Sequence, residues 1–283
     1  MTIVAVRLCT GRMSENYIHG YDPEEQQRLV KQAEYWRDRL FFPSLDLAPN
    51  AKILDIGCGV GAVLGIISQK YPDLTFAGLD LQPRQIAFAT QYLTELGLNF
   101  DLQNGDAYDL PWADNTFDFA LTVWLLEHVP ETAGILRETL RVLKPGGQIC
   151  LLETDYQSLL IHPPHDDFDY FQKALCELFF VANGNAYVGR SLGADLVQAG
   201  FTEVKNEAIA FHHWQTPEND ELRGLVNHLD TWIKLMIPQM VEKLGKDGDR
   251  LENGLKHFRN VPNDPLGSIT LTIYRATATK PAQ

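Results

Sequence analysis

Short apolar runs alternate with amphipathic segments between residues 51 and 153. The apolar runs have the length of strands, and the segments between them carry apolar residues at helical spacing. The predicted strands cover residues 51–56, 75–79, 98–103, 117–125 and 148–153. Strands that alternate with helices form βαβ units, which place parallel strands in one sheet with helices on both faces. The sequence therefore predicts an α/β fold with a doubly wound, mostly parallel sheet.

The segment before this alternation has the pattern of a helix over residues 21–45. Asp22 is a typical N-cap residue, Pro23 follows it, and acidic residues occupy the first turn, where they favour the positive end of the helix dipole. Apolar residues then recur at helical spacing. The sequence predicts an N-terminal helical cap over residues 1–50.

The regular alternation of predicted strands and helices stops after residue 153, and a clear strand pattern returns near the end of the chain. Residues 155–164 are predicted as a loop and 166–183 as a helix, and a later helical block is broken at Pro238 and at 245–248. Residues 268–276 alternate as a strand does. The predicted regions are the cap 1–50, an α/β core 51–211 with a helical insertion 155–188, a helical lid insertion 212–267, and a final strand of the core in 268–283.

The net charge and the cysteine content restrict the classes of ligand and binding partner that we expect. The chain of 283 residues carries 24 basic and 37 acidic side chains, a net charge of −13. Such an acidic surface repels phosphate backbones and anionic lipids, so neither nucleic acid nor a membrane is an expected partner. The four cysteines form no CxxC pair, and no metal site is predicted. Because no signal-peptide pattern and no apolar run of ~20 residues is found, a cytoplasmic location is expected.

A glycine-rich turn, LDIGCGVG, joins the first predicted strand to the next helix. Gly57, Gly59 and Gly61 let the backbone turn tightly and approach a ligand, and the helix N-terminus beyond them presents unpaired N–H groups. Asp55 precedes the glycines, where its carboxylate is placed to accept hydrogen bonds from an ammonium group. The turn therefore predicts a ligand site at the carboxyl end of the first strand.

Two further acids follow the next two strands. Asp80 lies about 20 residues after the glycines, where a carboxylate accepts from both hydroxyls of a ribose. Asp106 follows the third strand and is placed to accept from an adenine amino group. Together with Asp55 they fit a ligand that carries an amine, a ribose and an adenine but no phosphate. A nicotinamide dinucleotide fits less well, because its GxGxxG fingerprint is replaced here by GxGxG followed by Ala62.

Five sequence blocks occur in the order found in class I S-adenosylmethionine-dependent methyltransferases: LDIGCGVG, GLDLQPRQIAFA, NGDAYDLPWADNTFD, LLEHV and LRVLKPGG. Over residues 50–154 the chain resembles this family. The resemblance implies a seven-stranded, Rossmann-like sheet whose last strand is antiparallel. It also implies that S-adenosyl-L-methionine is the cofactor and that the core 51–211 binds it.

The resemblance also implies which residues contact the cofactor. Asp55, Gly57 and Gly59 would surround the methionine moiety, and Asp80, with Leu81 beside it, would bind the ribose. The other implied contacts are Gln85, which matches a cofactor-contacting glutamine, Asp106 and Ala107 at the adenine, and Val123 with Trp124 at the methionine end.

The upstream segment YIHGYDPEEQQRL is similar to the N-terminal cap of small-molecule methyltransferases of specialised metabolism. That similarity implies that Tyr17, Tyr21 and Arg28 cover the cofactor and pair with its carboxylate. A plain capped amphipathic helix explains the same residues, so both interpretations stay open.

Methyl transfer requires a nucleophile held in line within about 3–3.5 Å of the methyl group, with water excluded. A hydroxyl acceptor also needs a proton acceptor, whereas a neutral amine does not. His128 follows Glu127 and the fourth predicted strand, at the edge where α/β sheets bind ligands. His128 is predicted as the catalytic base with an ordinary pKa near 6.5, with a packing role as the alternative. His19 and Tyr156 are weaker candidates.

Two histidine pairs do not change the absence of a predicted metal site. His162 and His165 lie in a proline-rich segment, and the adjacent His212 and His213 would point to opposite faces of a strand. Neither pair has the spacing of a ligand set.

The sequence thus predicts an enzyme that transfers a methyl group to an oxygen or nitrogen of a small organic molecule in specialised metabolism, with the two insertions forming an apolar lid. One alternative is a C-methyltransferase or a cyclase that retains the cofactor, and another is a non-catalytic S-adenosylmethionine-binding protein. The expected partner is a small-molecule methyl acceptor, and the expected assembly is a monomer or homodimer. The acceptor itself is not predicted, because the fold does not dictate it.

Overall fold

A computed structural model describes residues 20–216 and 220–282. Within them one sheet contains seven strands: β1 Lys52–Ile56, β2 Thr75–Asp80, β3 Phe100–Asn104, β4 Phe117–Val123, β5 Leu143–His162, β6 Thr202–Trp214 and β7 Ser268–Thr279. Their order across the sheet is β3-β2-β1-β4-β5-β7-β6. Strands β1 to β5 pair in parallel, whereas β7 runs antiparallel to both β5 and β6. The predicted α/β sheet with an antiparallel last strand is confirmed.

In the described residues two helices precede β1, and the others lie in the connections between the strands. The helices are α1 Pro23–Trp36, α2 Phe42–Ser44, α3 Ala62–Lys70, α4 Pro83–Glu95, α5 Ala133–Val142, α6 Asp166–Val181, α7 Leu192–Ala199, α8 Glu221–Ile233, α9 Ile237–Leu244 and α10 Gly248–Asn260. Short 3-10 turns at Leu126–His128 and Val188–Arg190 join some of them to the strands.

Helix α1 begins as its sequence predicts. The Asp22 side chain accepts a hydrogen bond from the Glu25 backbone N–H at 2.9 Å, which satisfies one of the free donors of the first turn. The helix does not continue to residue 45, because a π-helical turn at Arg37–Phe41 and the short α2 follow Trp36.

The loop predicted for residues 155–164 is wrong. Strand β5 continues to His162, and its last residues pair with the beginning of β7, for example Leu160 with Thr270. The register shifts between Asp155 and Leu160, so the strand bends there without ending. The local sequence gave no sign of this pairing because the partner strand lies more than a hundred residues away.

The helical block of the second insertion is divided into separate helices near the proline and the glycines at which the sequence predicted breaks. Helix α9 begins at Ile237 with Pro238 in its first turn, and Gly245 ends it in the left-handed region at φ 63°. Helix α10 then begins at Gly248, where the Asp247 side chain accepts hydrogen bonds from two backbone N–H groups.

Two apolar clusters cover the two faces of the sheet. One contains Ile53 of β1 with α3, α6, α8 and α10, and the other contains Leu54 of β1 with α5 and α7. Alternate residues of one strand therefore enter opposite layers. Helices α1, α6 and α8 share a face, and this places them above the carboxyl ends of the central strands.

Candidate active site

A cavity of about 440 Å³ opens at the carboxyl ends of the central strands. Its floor is made by residues that follow β1, β2, β3 and β4, and its walls come from α1, α8 and the end of α6. A crevice at this edge of an open α/β sheet is where such folds bind their ligands. Most of the cofactor residues expected from the sequence line it: Tyr21, Arg28, Asp55, Gly57, Gly59, Asp80, Leu81, Gln85, Ala107 and Val123.

The glycine turn has the backbone geometry that its sequence predicts. Gly57, Gly59 and Gly61 have φ of 76°, 51° and 73°, a backbone region that residues with a Cβ rarely adopt. A Cβ at Gly59 would meet no atom within 4 Å, so the turn borders open space in the cavity. The N–H groups of Gly57 and Cys58 donate to the Leu79 carbonyl and tie the turn to the end of β2.

Asp80 is fixed by the backbone around it. Its Oδ2 accepts from the Gly59 N–H at 2.9 Å and its Oδ1 from the Gln82 N–H at 2.8 Å. Burial raises the pKa of Asp80, and these two hydrogen bonds oppose the rise. The Asn104 side chain donates to the Asp80 and Leu81 carbonyls, which joins the ends of β2 and β3. Asp80 is thus a positioned hydrogen-bond acceptor at the cavity floor.

Asp55 is a buried carboxyl that lacks a complete set of partners. It is 1% exposed, and its Oδ2 has no hydrogen-bond partner among the described residues. Burial, together with the nearby charge of Asp80, raises the pKa of Asp55 to about 8. A positively charged group in the cavity would favour the ionised carboxyl and satisfy its free oxygen. Asp55 therefore fits the ammonium group of an amino-acid-like ligand.

Helix α1 is anchored to the core through a buried amide pair. The Gln26 side chain donates to Gln85 Oε1 at 2.9 Å and to the Arg84 carbonyl at 3.3 Å. This contact brings Tyr21 and Arg28 to the cavity wall. Tyr17, the third residue expected there, lies outside the described residues, as does His19.

Arg28 has a protein partner in this structure. Its guanidinium donates twice to the Glu25 carboxylate, at 2.6 Å each, and once to the Gln32 side chain. Only 11% of the Arg28 side chain and 2% of the Glu25 side chain are exposed. A ligand carboxylate at Arg28 would share the guanidinium with Glu25.

Asp106 is the expected site residue that does not reach the cavity wall. It is exposed, and its Oδ1 accepts from the Tyr108 N–H at 3.0 Å, which closes a turn after β3. Its neighbours Gly105 and Ala107 line the cavity instead. The backbone of this turn, rather than the Asp106 carboxylate, faces the space where a ligand would lie.

A second group of polar side chains follows β4 and β5. Glu127 is 1% exposed, its Oε1 accepts from the Tyr156 hydroxyl at 2.8 Å, and its Oε2 has no hydrogen-bond partner among the described residues. Glu153, fully buried, accepts from the backbone N–H groups of Leu125, Leu126 and Glu127 at 2.7–3.2 Å. It thereby holds the turn that carries Glu127.

The charges of these two acids are linked. Burial and the neighbouring Glu153 raise the pKa of Glu127 well above its usual range. Burial also raises the pKa of Glu153, to about 8, although its three N–H donors favour the ionised form. The pair therefore shares its protons, and Glu127, which has fewer donors, is the member that holds a proton more readily.

His128 lies beside this pair, but the expected pKa near 6.5 is wrong. Its ring stacks on Phe179 with centroids 5.5 Å apart, and its Nε2 lies 3.4 Å from Glu127 Oε1. Burial lowers the pKa of His128 to about 4. The imidazole is therefore neutral at physiological pH and is a weaker base than the sequence suggested.

Aromatic rings line the cavity on two sides. Trp36 and Trp124 lie near each other, with centroids 6.1 Å apart, and Tyr156 packs between Phe179 and Trp232 at 4.6 and 5.7 Å. All five rings line the cavity. Trp124 has φ of 51°, uncommon for a residue with a large side chain, and its indole donates to Thr154. The polar side chains among these rings include Glu127, His128, Thr154 and His228.

Sequence reasoning missed several lining residues. Trp36, Phe179, His228 and Trp232 lie on helices whose spacing indicated only an apolar face. His228 accepts from the Trp36 indole at 3.0 Å, stacks on Tyr35, and has its pKa lowered to about 3 by burial. A histidine in an otherwise apolar helical stripe was the one signal for this position.

The remaining histidines form no ligand set. The rings of His165 and His257 stack with centroids 3.4 Å apart, and the His165 Nδ1 accepts from the Asp167 N–H. Across the part of the chain that the structure describes, no group of three or more metal-ligating side chains occurs. Over the same residues, every helix is too short or too polar to cross a membrane.

The chain is similar to known methyltransferases over part of its length. The profile of a family described as "Methyltransferase domain" matches residues 54–151. Methyltransferase GfsG of Streptomyces halstedii is 32% identical over 158 residues, which are 53% of this chain and 54% of that protein. Ubiquinone/menaquinone biosynthesis C-methyltransferase UbiE of Desulfotalea psychrophila is 29% identical over 194 residues, which are 68% of this chain and 72% of that protein.

The fold has a solved counterpart. The structure of phosphoethanolamine N-methyltransferase 2 of Haemonchus contortus, in complex with phosphomonomethylethanolamine and S-adenosylhomocysteine, superposes with a TM-score of 0.59. The alignment covers 94% of this chain and 60% of that chain at 14% identity, so the likeness is one of fold.

The sheet order, the glycine turn and the acids around it define a Rossmann-like methyltransferase domain. Residues 54–151 match the methyltransferase domain family, and this match together with the methyltransferase relatives supports the class I S-adenosylmethionine-dependent family that the sequence blocks indicated. The chain spans about half the length of the first curated relative that it matches.

Proposed function

We propose that the protein transfers a methyl group from S-adenosyl-L-methionine to an oxygen or nitrogen of a small organic molecule, in specialised metabolism. The observation that carries this proposal is the unpartnered Oδ2 of buried Asp55 beside a glycine turn that borders open space. An amino-acid ammonium satisfies that oxygen, and the absence of phosphate in the ligand suits a floor that carries Asp55 and Asp80.

The residues present fit this cofactor. Asp55 and the glycine turn would hold its amino-acid end, and the Asp80 carboxylate would accept from the ribose hydroxyls. Gly105 and Ala107 would face the adenine, while Arg28 would share its guanidinium with the cofactor carboxylate. When bound, S-adenosyl-L-methionine supplies an activated methyl group on a positively charged sulfur.

The protein's own contribution is to position the acceptor and exclude water. Helices α1 and α8 bring Trp36, His228 and Trp232 over the cavity, and the end of α6 adds Phe179. We interpret these segments as a lid that separates the reacting atoms from solvent. His128 remains the predicted proton acceptor for a hydroxyl; it is unprotonated above about pH 4, and its lowered pKa limits its strength.

The experiment that tests this proposal is turnover of labelled cofactor. Purified protein is incubated with S-adenosyl-L-methionine carrying a labelled methyl group and with a fractionated metabolite extract. The expected result is formation of S-adenosylhomocysteine together with a labelled small molecule. Tight binding of S-adenosyl-L-methionine with no turnover in any fraction would instead favour a non-catalytic binding protein.

A second candidate function is methylation of carbon. It is favoured by the similarity to a relative named a C-methyltransferase over 68% of this chain. The labelled product separates the two, because a methyl group on carbon resists mild chemical dealkylation and has a distinct NMR shift from one on oxygen or nitrogen.

A further inference from the structure

The cavity contains more carboxyl groups than cationic side chains. Asp55, Asp80 and Glu127 line it, whereas Arg28 is the one lysine or arginine among its described lining residues and is already paired with Glu25. His128 and His228 add no charge at neutral pH, because burial lowers the pKa of each far below 7. The ammonium group of the proposed cofactor would pair with Asp55, and no lysine or arginine among the described lining residues is placed to pair with an ionised Glu127.

Glu127 is part of the cavity wall and has an incomplete set of hydrogen-bond partners. Tyr156 donates to its Oε1, and the backbone turn that carries it is held by Glu153 from below. Its Oε2 has no hydrogen-bond partner among the described residues although the side chain is 98% buried. Burying an unpartnered carboxyl is costly unless a ligand satisfies it.

The surroundings of Glu127 suit a cation. Tyr156, Phe179 and Trp232 pack together beside it, and Trp36 and Trp124 line the same cavity. Aromatic faces attract ammonium groups, and a buried carboxylate gives such a group a direct partner. A neutral hydroxyl compound would gain a hydrogen bond to Glu127 but would not favour its ionised form, whereas an ammonium ion does.

We propose that the methyl acceptor is a small amine, bound as its ammonium ion against Glu127, which removes its proton before methyl transfer. This inference rests on the proposed function and narrows it from oxygen or nitrogen to nitrogen. It also makes Glu127, rather than His128, the catalytic proton acceptor.

The step balances in charge and atoms. The ammonium ion gives one N–H proton to the Glu127 carboxylate, which leaves a neutral amine and a neutral carboxyl. The lone pair of the amine forms a new N–C bond to the methyl group as the S–C bond breaks and its electron pair stays on sulfur. The products are an N-methylated ammonium ion and neutral S-adenosylhomocysteine, and Glu127 returns its proton to solvent when the products leave.

The test compares a cation with its neutral isostere. Protein saturated with S-adenosylhomocysteine, which occupies the region of Asp55, is titrated calorimetrically with choline and with 3,3-dimethylbutan-1-ol. These two probes have the same shape and differ in the charge of one atom. We expect choline to bind roughly tenfold more tightly or better, since ion pairing and ring faces both favour the cation.

The preference for choline should also depend on pH. Glu127 faces Glu153, Tyr156 and His128, and the Glu127–Glu153 pair shares protons. Choline binding should therefore expel a proton from this pair, and its affinity should rise as the pH is raised. In Glu127→Gln, which keeps the acceptor for Tyr156, the preference should fall below about threefold and lose its pH dependence. Glu242→Gln, an exposed change on α9, should behave as the unmodified protein does.

The outcomes separate this inference from the proposed function. Failure of S-adenosylhomocysteine to bind would overturn the proposed function and this inference with it. Normal S-adenosylhomocysteine binding with equal affinity for the two probes, with no binding of either at millimolar concentration, or with the preference intact in Glu127→Gln, would overturn the amine inference alone. If Glu127→Gln fails to fold, Tyr156→Phe serves instead: loss of its hydroxyl should move the pH dependence of choline binding upward, and an unchanged profile would contradict the role of Glu127.

Discussion

The two halves of the cavity are built in different ways. On the side that we propose binds the cofactor, the polar groups lie within a few residues of the ends of β1, β2 and β3, and the backbone fixes them, as the Gly59 and Gln82 N–H groups fix Asp80. On the side that we propose binds the acceptor, the wall is assembled from α1, α6 and α8, which are far apart in sequence. Its polar groups are buried acids set among rings.

The first half uses general features of the backbone, whereas the second half depends on packing that is specific to this protein. The cofactor side needs only a strand, a tight turn and an acid, so a contiguous stretch of sequence encodes it. The acceptor side depends on how the insertions pack, and it is here that the unpartnered Glu127 oxygen and the strained Trp124 backbone occur. Trp124 and Glu127 themselves follow β4, inside the regular part of the chain, whereas the rings around them come from distant helices.

The largest effect is expected at Asp80. Asp80→Ala removes the proposed ribose acceptor and also the partner of the Gly59 N–H, at a cost of about 1.5–3 kcal/mol for each hydrogen bond to a charged group. S-adenosylhomocysteine affinity should fall at least about 100-fold in calorimetric titration, while binding of choline, measured as its heat per site at saturation, should persist. An equal loss of binding for S-adenosylhomocysteine and for choline would show that the two halves of the cavity do not bind their ligands independently.

Gly184 offers the matching test on the acceptor side. A Cβ at Gly184 would overlap the backbone carbonyl of Glu127, whereas one at Gly224 of α8 would meet a single atom at 4.0 Å. Gly184→Ala should lower the free energy of unfolding by about 2–4 kcal/mol or displace the Glu127 turn. Gly224→Ala should be neutral or stabilising by up to about 1 kcal/mol, since alanine favours a helix. Denaturant unfolding of both variants measures this, and a stable Gly184→Ala would contradict the packing described here.

The pH dependence of cofactor-side binding should follow Asp55. Burial and Asp80 raise the pKa of Asp55 to about 8, so its carboxyl is neutral below that pH in the free protein. An ammonium group requires the ionised form, and binding must expel a proton. Affinity for S-adenosylhomocysteine should therefore rise by up to about tenfold per unit between pH 6 and 7.5. Asp55→Asn should make the affinity for S-adenosylhomocysteine nearly independent of pH in this range. An unchanged pH dependence in that variant would show that the expelled proton comes from another group.

The smallest effect is expected at His128. Because its pKa is lowered to about 4, turnover should show no step near pH 6.5, and His128→Ala should keep turnover per active site within a few-fold. Glu127→Gln should be far slower with the same acceptor. If turnover fell 10²–10⁴-fold in His128→Ala while Glu127→Gln stayed active, His128 and not Glu127 would be the general base.

Much of the fold and of the cofactor side was predictable from the sequence. The positions of β1 to β4, the glycine turn and Asp80 follow from local periodicity and spacing. The continuation of β5 to His162 was not predictable, because pairing with β7 is long-range and overrides the local pattern. The placement of Asp106 outside the cavity depends on a turn closed by its own side chain.

The acceptor side resisted prediction for a physical reason. Rings such as Trp36, Phe179 and Trp232 satisfy helical spacing equally well in a core and in a cavity wall. The lowered pKa of His128 and the raised pKa of Glu127 come from burial by these distant segments. A sequence pattern does not carry that information, since burial is a property of the assembled structure.

The most direct measurement for the central claim is a calorimetric titration of the purified protein with S-adenosyl-L-methionine and, separately, with a nicotinamide dinucleotide. The unpartnered Asp55 oxygen and the carboxylate of Asp80 favour a ligand with an ammonium group and a ribose, and they repel a pyrophosphate. We expect saturable binding of S-adenosyl-L-methionine with one site per chain and no measurable binding of the dinucleotide. Binding of the dinucleotide with none of S-adenosyl-L-methionine would contradict the account of this cavity.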